Sequence, residues 1–119
     1  MTKSIGKWLS VLVLGGSLLV STHSPASAAV LEKKNPVGFT KAWERYSSGD
    51  NNKAALTYGY NTTAINEDYA WANHSSKSHY ASLKNGKNTW YKGPSKKGKT
   101  ISKIEVRHSG STVYYRNNY

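Results

Sequence analysis

HYASLKNGKNTWY (residues 79–91) sets an alternating run, a turn dipeptide and a second short run end to end. Asn85 and Gly86 are the preferred pair for a two-residue type I′ turn, because both positions of that turn need φ > 0. A two-residue loop predicts that Lys84 faces Lys87, Leu83 faces Asn88, Ser82 faces Thr89, Ala81 faces Trp90 and Tyr80 faces Tyr91. Side chains alternate across a strand, so Leu83, Ala81 and Trp90 share one face. Tyr80, Ser82, Lys84, Lys87, Thr89 and Tyr91 share the other. The first face is expected to be core, with Trp90 burying the largest area, and the second to be surface. His79 falls at the far end of the core face and is expected as a hydrogen-bonded boundary histidine.

The same alternation extends outward. Leu56, Tyr58 and Tyr60 alternate with Ala55, Thr57 and Gly59, and Tyr69 and Trp71 alternate with Ala70 and Ala72, which predicts two further strands. Residues 93–99 contain Pro94 and two glycines and read as a basic loop. A second hairpin is expected beyond it, turning at Ser109 and Gly110. There Val106 and Ile104 would face Val113 and Tyr115 inward, while Lys103 opposite Arg116 and Glu105 opposite Tyr114 point outward. Short strands with turns every eight to twelve residues predict an all-β chain, a small antiparallel β-sandwich built from hairpins over residues 54–119, or a partly closed barrel.

Upstream the pattern changes. Phe39, Ala42, Trp43 and Tyr46 fall at i, i+3, i+4 and i+7, so residues 29–53 read as an N-terminal extension of loop plus a short helix of about two turns. Residues 1–28 read as a signal peptide: Lys3 and Lys7, an apolar run from Trp8 to Val20, then Ala26, Ser27 and Ala28 as a cleavage site before Ala29. The apolar run is shorter than the ~20 residues that a membrane span needs. Beyond it lie fifteen of the seventeen Lys/Arg and all six Asp/Glu, a net charge of +9, and no cysteine. An exported domain without disulfides must hold itself together by strand pairing and a modest core.

Such a charge outside the cell favours anionic lipid, wall polymers and phosphate-bearing precursors as partners. Tyr and Trp among lysines also suit nucleic acid, but export argues against that partner. His74, His79 and His108 lack the cysteines or nearby carboxylates that would complete a zinc set, so no metal or other cofactor is expected. Catalysis is not expected either. The only adjacent carboxylates, Glu67 and Asp68, would point to opposite faces of a strand, and a Ser76, His79, Asp68 set has no supporting motif. The residues that best suit binding are Lys77, Tyr80, Lys84, Lys87 and Tyr91, since lysines supply charge and tyrosine hydroxyls directed hydrogen bonds.

Tyr58-Gly59-Tyr60, Tyr69, His74, Ser76-Lys77, His79, Ala81-Ser82-Leu83 and the terminal Tyr114-Tyr115 together resemble the lactococcin 972 family of secreted bacteriocins. The resemblance covers residues 54–119; Leu56 stands where the family carries Trp. It implies a cysteine-free antiparallel β-sandwich, made by a Gram-positive bacterium and active against related cells at the envelope, with no catalytic residues. The function expected is therefore a secreted antibacterial protein that binds an anionic envelope component, such as a cell-wall precursor or lipid head group, and blocks growth without catalysis. A secreted, non-toxic wall- or surface-binding module and an inhibitor of an extracellular protein stand as alternatives. A membrane surface and a second copy of the chain stay open as further partners.

Overall fold

The computed structural model describes residues 29–119, so the signal peptide and its cleavage site lie outside the described residues. Eight strands follow in order: β1 (Val30–Asn35), β2 (Trp43–Gly49), β3 (Ala54–Asn61), β4 (Glu67–His74), β5 (Tyr80–Lys84), β6 (Trp90–Lys92), β7 (Ser102–Arg107) and β8 (Val113–Asn118). They form two four-stranded antiparallel sheets, β1-β8-β5-β6 and β2-β3-β4-β7, and no helix occurs among the described residues. The chain is an antiparallel β-sandwich.

The two strands read at 56–60 and 69–72 pair with each other as β3 and β4. Large and small side chains stand side by side across this pair: Leu56 opposite Ala72, and Tyr58 opposite Ala70. From the other sheet Ala81, Leu83, Val113 and Tyr115 meet them, all fully buried. Tyr115 lies at the centre, its ring 5.0 Å from Tyr58 and 6.1 Å from Trp43. Gly59 faces outward under a bridge. Tyr69 Oη donates to Glu44 Oε2 across it (2.7 Å), and a Cβ on Gly59 would lie 2.2 Å from the Trp43 carbonyl oxygen.

Three expectations fail, each for a local reason. The first concerns the β5–β6 hairpin. Its register is Lys84 with Trp90, Leu83 with Tyr91 and Ser82 with Lys92, so the loop spans five residues rather than two. Asn88 N–H closes the turn onto the Asn85 carbonyl (2.9 Å), and Asn88, not Gly86, takes the left-handed conformation (φ 58). Gly86 is needed for close approach: its N–H donates to Ser109 O (2.8 Å), and a Cβ there would lie 2.7 Å from Gly110. The shift of three residues is odd, so the sides of β6 exchange. Trp90 faces outward beside Lys84, and Tyr91 turns toward the Leu83 side.

The second failure is the hairpin expected at Ser109 and Gly110. β7 pairs with β4 and β8 with β1 and β5, so the chain crosses between sheets there. Ile104 and Val106 still turn inward toward Val113 and Tyr115, but as opposite layers of the sandwich, not as ladder partners. Periodicity assigns a face and leaves the hydrogen-bonding neighbour open.

The third is the helix expected over residues 39–46 and the reading of 29–53 as an extension. That stretch supplies one strand to each sheet: β1 pairs with β8 and β2 with β3. Two helical turns would be marginal alone, whereas β2 gains a seven-residue ladder with β3. The loop between them turns left-handed at Asp50, Asn51 and Asn52 (φ 53, 53 and 67), a conformation that Asp and Asn tolerate better than other non-glycine residues. Tyr46, expected on the apolar helix face, is 67% exposed, while Phe39 in the preceding loop stacks on His108 (4.4 Å).

Candidate functional site

Residues directly opposite in a ladder share a face, and the register of the β1-β8-β5-β6 sheet places rows of them on its outer side. One row runs Lys34, Tyr114, Lys84, Trp90; the next runs Glu32, Arg116, Ser82, Lys92; a third runs Val30, Asn118, Tyr80. Cations and rings interleave. Arg116 lies 3.9 Å from the Trp90 ring, Lys84 5.3 Å from Trp90 and 5.2 Å from Tyr114, Lys34 5.7 Å from Tyr114, and Lys92 5.8 Å from Tyr80.

Each such contact stabilises by about 0.5–1 kcal/mol at an exposed site and holds the charge in place without neutralising it. Beneath the long side chains, Ser82 and Asn118 are nearly buried, and Asn118 Nδ2 donates to Ser82 Oγ (2.9 Å) and to the Tyr80 carbonyl (3.0 Å). Glu32 is the single carboxylate in these rows, and it accepts from Arg116 Nε at 2.6 Å. Four cations against one carboxylate leave a net +3 on this face.

Of the five residues selected from sequence, the structure brings together Tyr80 and Lys84 on this face. Lys87 sits in the exposed β5–β6 loop, its N–H donating to Asn85 Oδ1 (3.1 Å). Lys77 sits in the exposed β4–β5 loop with its ammonium 5.7 Å from the Tyr119 ring. Tyr91 is half-buried on the opposite side of β6. Sequence reasoning missed Trp90, Lys92 and Lys34. The first two follow from the wrong loop length and the third from the missing β1. Tyr114 and Arg116 were expected outward, and they are, beside β5 rather than β7.

The histidines hold loops. His79 is buried, its Nδ1 2.8 Å from the Lys77 carbonyl and its Nε2 2.6 Å from the Thr100 carbonyl, which agrees with a hydrogen-bonded boundary histidine. His74 is also buried, with Nδ1 accepting from the N–H groups of Ser76 (3.0 Å) and Lys77 (2.9 Å). Nε2 therefore carries the proton and donates to Asp50 Oδ2 (2.7 Å). The hydrogen bond from His74 holds the Asp50 carboxyl below its ordinary range. Among the described residues no group of three or more His, Asp or Glu side chains could hold a metal ion.

Asp68 and His108 make a second buried unit. Asp68 accepts from Asn85 Nδ2 (3.0 Å) and lies 2.8 Å from His108 Nδ1, which ties the β5–β6 loop to the opposite sheet. Burial pushes the Asp68 carboxyl up, against the lowering by Asn85 and His108. A carboxyl raised in the folded state contributes stability below its unfolded value and loses it as pH rises through the folded one. Asp68→Asn is thus expected to keep the hydrogen-bond frame and to flatten the loss of stability on going from pH 4 toward neutrality, read from urea midpoints across that range. A variant whose midpoint falls with pH as steeply as the parent's would assign the loss to other groups.

Comparison with protein-family models, with curated proteins and with solved structures finds no match to this chain.

Proposed function

We propose that the chain is a secreted antibacterial protein of the lactococcin 972 kind, which binds an anionic component of the envelope of related Gram-positive bacteria and blocks growth without catalysis. The observation that carries this reading is the outer face of the β1-β8-β5-β6 sheet, with Lys34, Lys84, Lys92 and Arg116 held among Tyr80, Trp90 and Tyr114. A cysteine-free antiparallel sandwich is what the resemblance implies, and it supports the reading. Cations fixed by neighbouring rings lose little further freedom on meeting an anion, so a larger share of the interaction appears as affinity.

No helix among the described residues is long and apolar enough to cross a membrane. On this reading inhibition proceeds by occupation of an envelope component, with growth stopping before dye or ions leak. The test is purified protein on a panel of related Gram-positive strains, following optical density and a membrane-impermeant dye together. Growth arrest with delayed dye entry is the expected result. Absence of inhibition on every strain would leave the non-toxic binding module as the better reading, and immediate dye entry at the inhibitory dose would replace occupation by membrane disruption.

A further inference from the structure

The cationic face does not end at the sheet. At the start of β5 it meets a cluster of loops that backbone hydrogen bonds draw to one end of the sandwich. Ser75 N–H donates to Lys53 O (2.8 Å), His79 and Lys96 exchange N–H···O bonds (2.9 and 2.8 Å), and Lys99 N–H donates to His74 O (2.7 Å). Gly98 lies against Ser76, where a Cβ would meet Ser76 Cα at 2.8 Å. Buried His74 and His79 fix the frame beneath. Lys53, Lys77, Lys97 and Lys99 are exposed on this frame, and the nearby carboxylate, Asp50, is engaged by His74. Lys96 pairs with His79, the residue before Tyr80, and Lys92 reaches over the Tyr80 ring from the sheet face. The loop lysines and the sheet face thus border each other at the start of β5 and are taken together as one strip.

Its extent exceeds a head group. Strands lie about 4.8 Å apart and rise about 3.3 Å per residue, so Lys34 on β1 and Lys92 on β6 stand about 14 Å apart across the sheet, and Lys84 and Tyr80 about 13 Å apart along β5. A single phosphate engages cations within about 2.9 Å of its oxygens, and one such group reaches only a few of these side chains. The rings argue against bases as the anion's carrier. Trp90 is faced by Arg116 and Lys84, Tyr114 by Lys84 and Lys34, and Tyr80 by Lys92, so a stacking base would have to displace a cation from each.

We infer that the ligand of this strip is a linear polymer of repeating phosphates without aromatic bases, lying over the loop end and the sheet face together. The inference rests on reading the sheet face as an anion site and adds the polymer as its occupant. Calorimetric titration of the purified protein with medium-chain inorganic polyphosphate, and separately with pyrophosphate, tests it across salt. Each neutralised charge on a flexible chain contributes a slope of about −0.7 in log K against log salt, so polymer affinity is expected to fall about 100-fold between 50 and 200 mM salt, and pyrophosphate affinity less than about tenfold.

Lys77→Gln with Lys97→Gln, both exposed loop positions, should reduce the polymer slope by about 1.4 and leave pyrophosphate binding unchanged. Equal slopes for the two ligands, or a double variant that binds polymer like the parent, would confine the site to a head group and overturn the polymer while sparing the face. A single-stranded oligonucleotide of matched charge binding more tightly than polyphosphate would also overturn it. If Lys84→Glu with Lys92→Glu changes neither ligand, the sheet face itself is not the anion site and both readings fall.

Discussion

Tyr115→Ala unfolds the domain at ambient temperature or brings it to the edge of unfolding, whereas Trp90→Ala leaves it folded. Tyr115 is fully buried between the sheets against Tyr58 and Trp43, and truncating a large aromatic there costs about 3–5 kcal/mol. Small domains hold roughly 5–15 kcal/mol in total, and a cysteine-free sandwich of this size belongs at the low end. Trp90 loses only half-buried surface and its contacts with Arg116, Lys84 and Tyr114, a cost of about 1–2 kcal/mol.

Tyr115→Phe gives the converse. The hydroxyl is buried with no hydrogen-bond partner among the described residues, and the same burial pushes its pKa far above the ordinary phenol value. Removing an unsatisfied buried hydroxyl recovers about 1 kcal/mol. Urea unfolding of the three variants followed by circular dichroism ranks them. Trp90→Ala as the most damaging would mean that β6 is turned over and that the five-residue loop is wrong.

The second large effect falls on activity. Lys84→Glu with Lys92→Glu exchanges two cations for two carboxylates in adjacent rows and lowers the net charge of the face from +3 to −1. With repulsion replacing attraction at two points, inhibition of sensitive cells is expected to weaken by at least about 100-fold, the equivalent of about 1.4 kcal/mol per site. Both side chains lie on the outer face, so the change costs the three cation–ring contacts, about 1.5–3 kcal/mol together, which lowers the unfolding midpoint but leaves the domain folded. Potency should also decline with added salt, because exposed charges are screened beyond about 8 Å at physiological ionic strength. A reversed variant that inhibits at the parent's dose would remove this face from the action.

Much of the sandwich was legible because burial imposes period two. Leu56, Tyr58 and Tyr60 on β3, Ala81 and Leu83 on β5, and Val113 and Tyr115 on β8 all face the core as their alternation requires. What alternation cannot carry is the identity of the neighbouring strand. Val106 and Val113 would face inward equally in a hairpin and in two opposed sheets, and only the crossing at residues 108–112 separates the two. Asn85 and Gly86 misled for a related reason. Glycine relieves a positive φ or a close approach, and here the approach to Gly110 is the one that needs it.

The early segment was illegible because its aromatic spacing also fits a helix, while β1, with one half-buried Leu31 among exposed neighbours, has almost no apolar signal. Half of the candidate site followed these errors. Tyr80 and Lys84 were placed by alternation alone, Trp90 and Tyr91 changed places with the loop length, and Lys34 came with a strand that no periodicity announces.

Binding of labelled protein to isolated envelopes of a sensitive strain tests the central claim most directly when two charge-matched variants are compared. Lys84→Glu with Lys92→Glu alters the β1-β8-β5-β6 face; Lys103→Glu with Arg107→Glu makes the same change in net charge at exposed positions on the outer side of β7. The first pair should lose envelope binding while the second retains it within a few-fold of the parent. Equal loss in both pairs would show that net charge alone drives association, and loss confined to the β7 pair would place the binding surface on the other sheet.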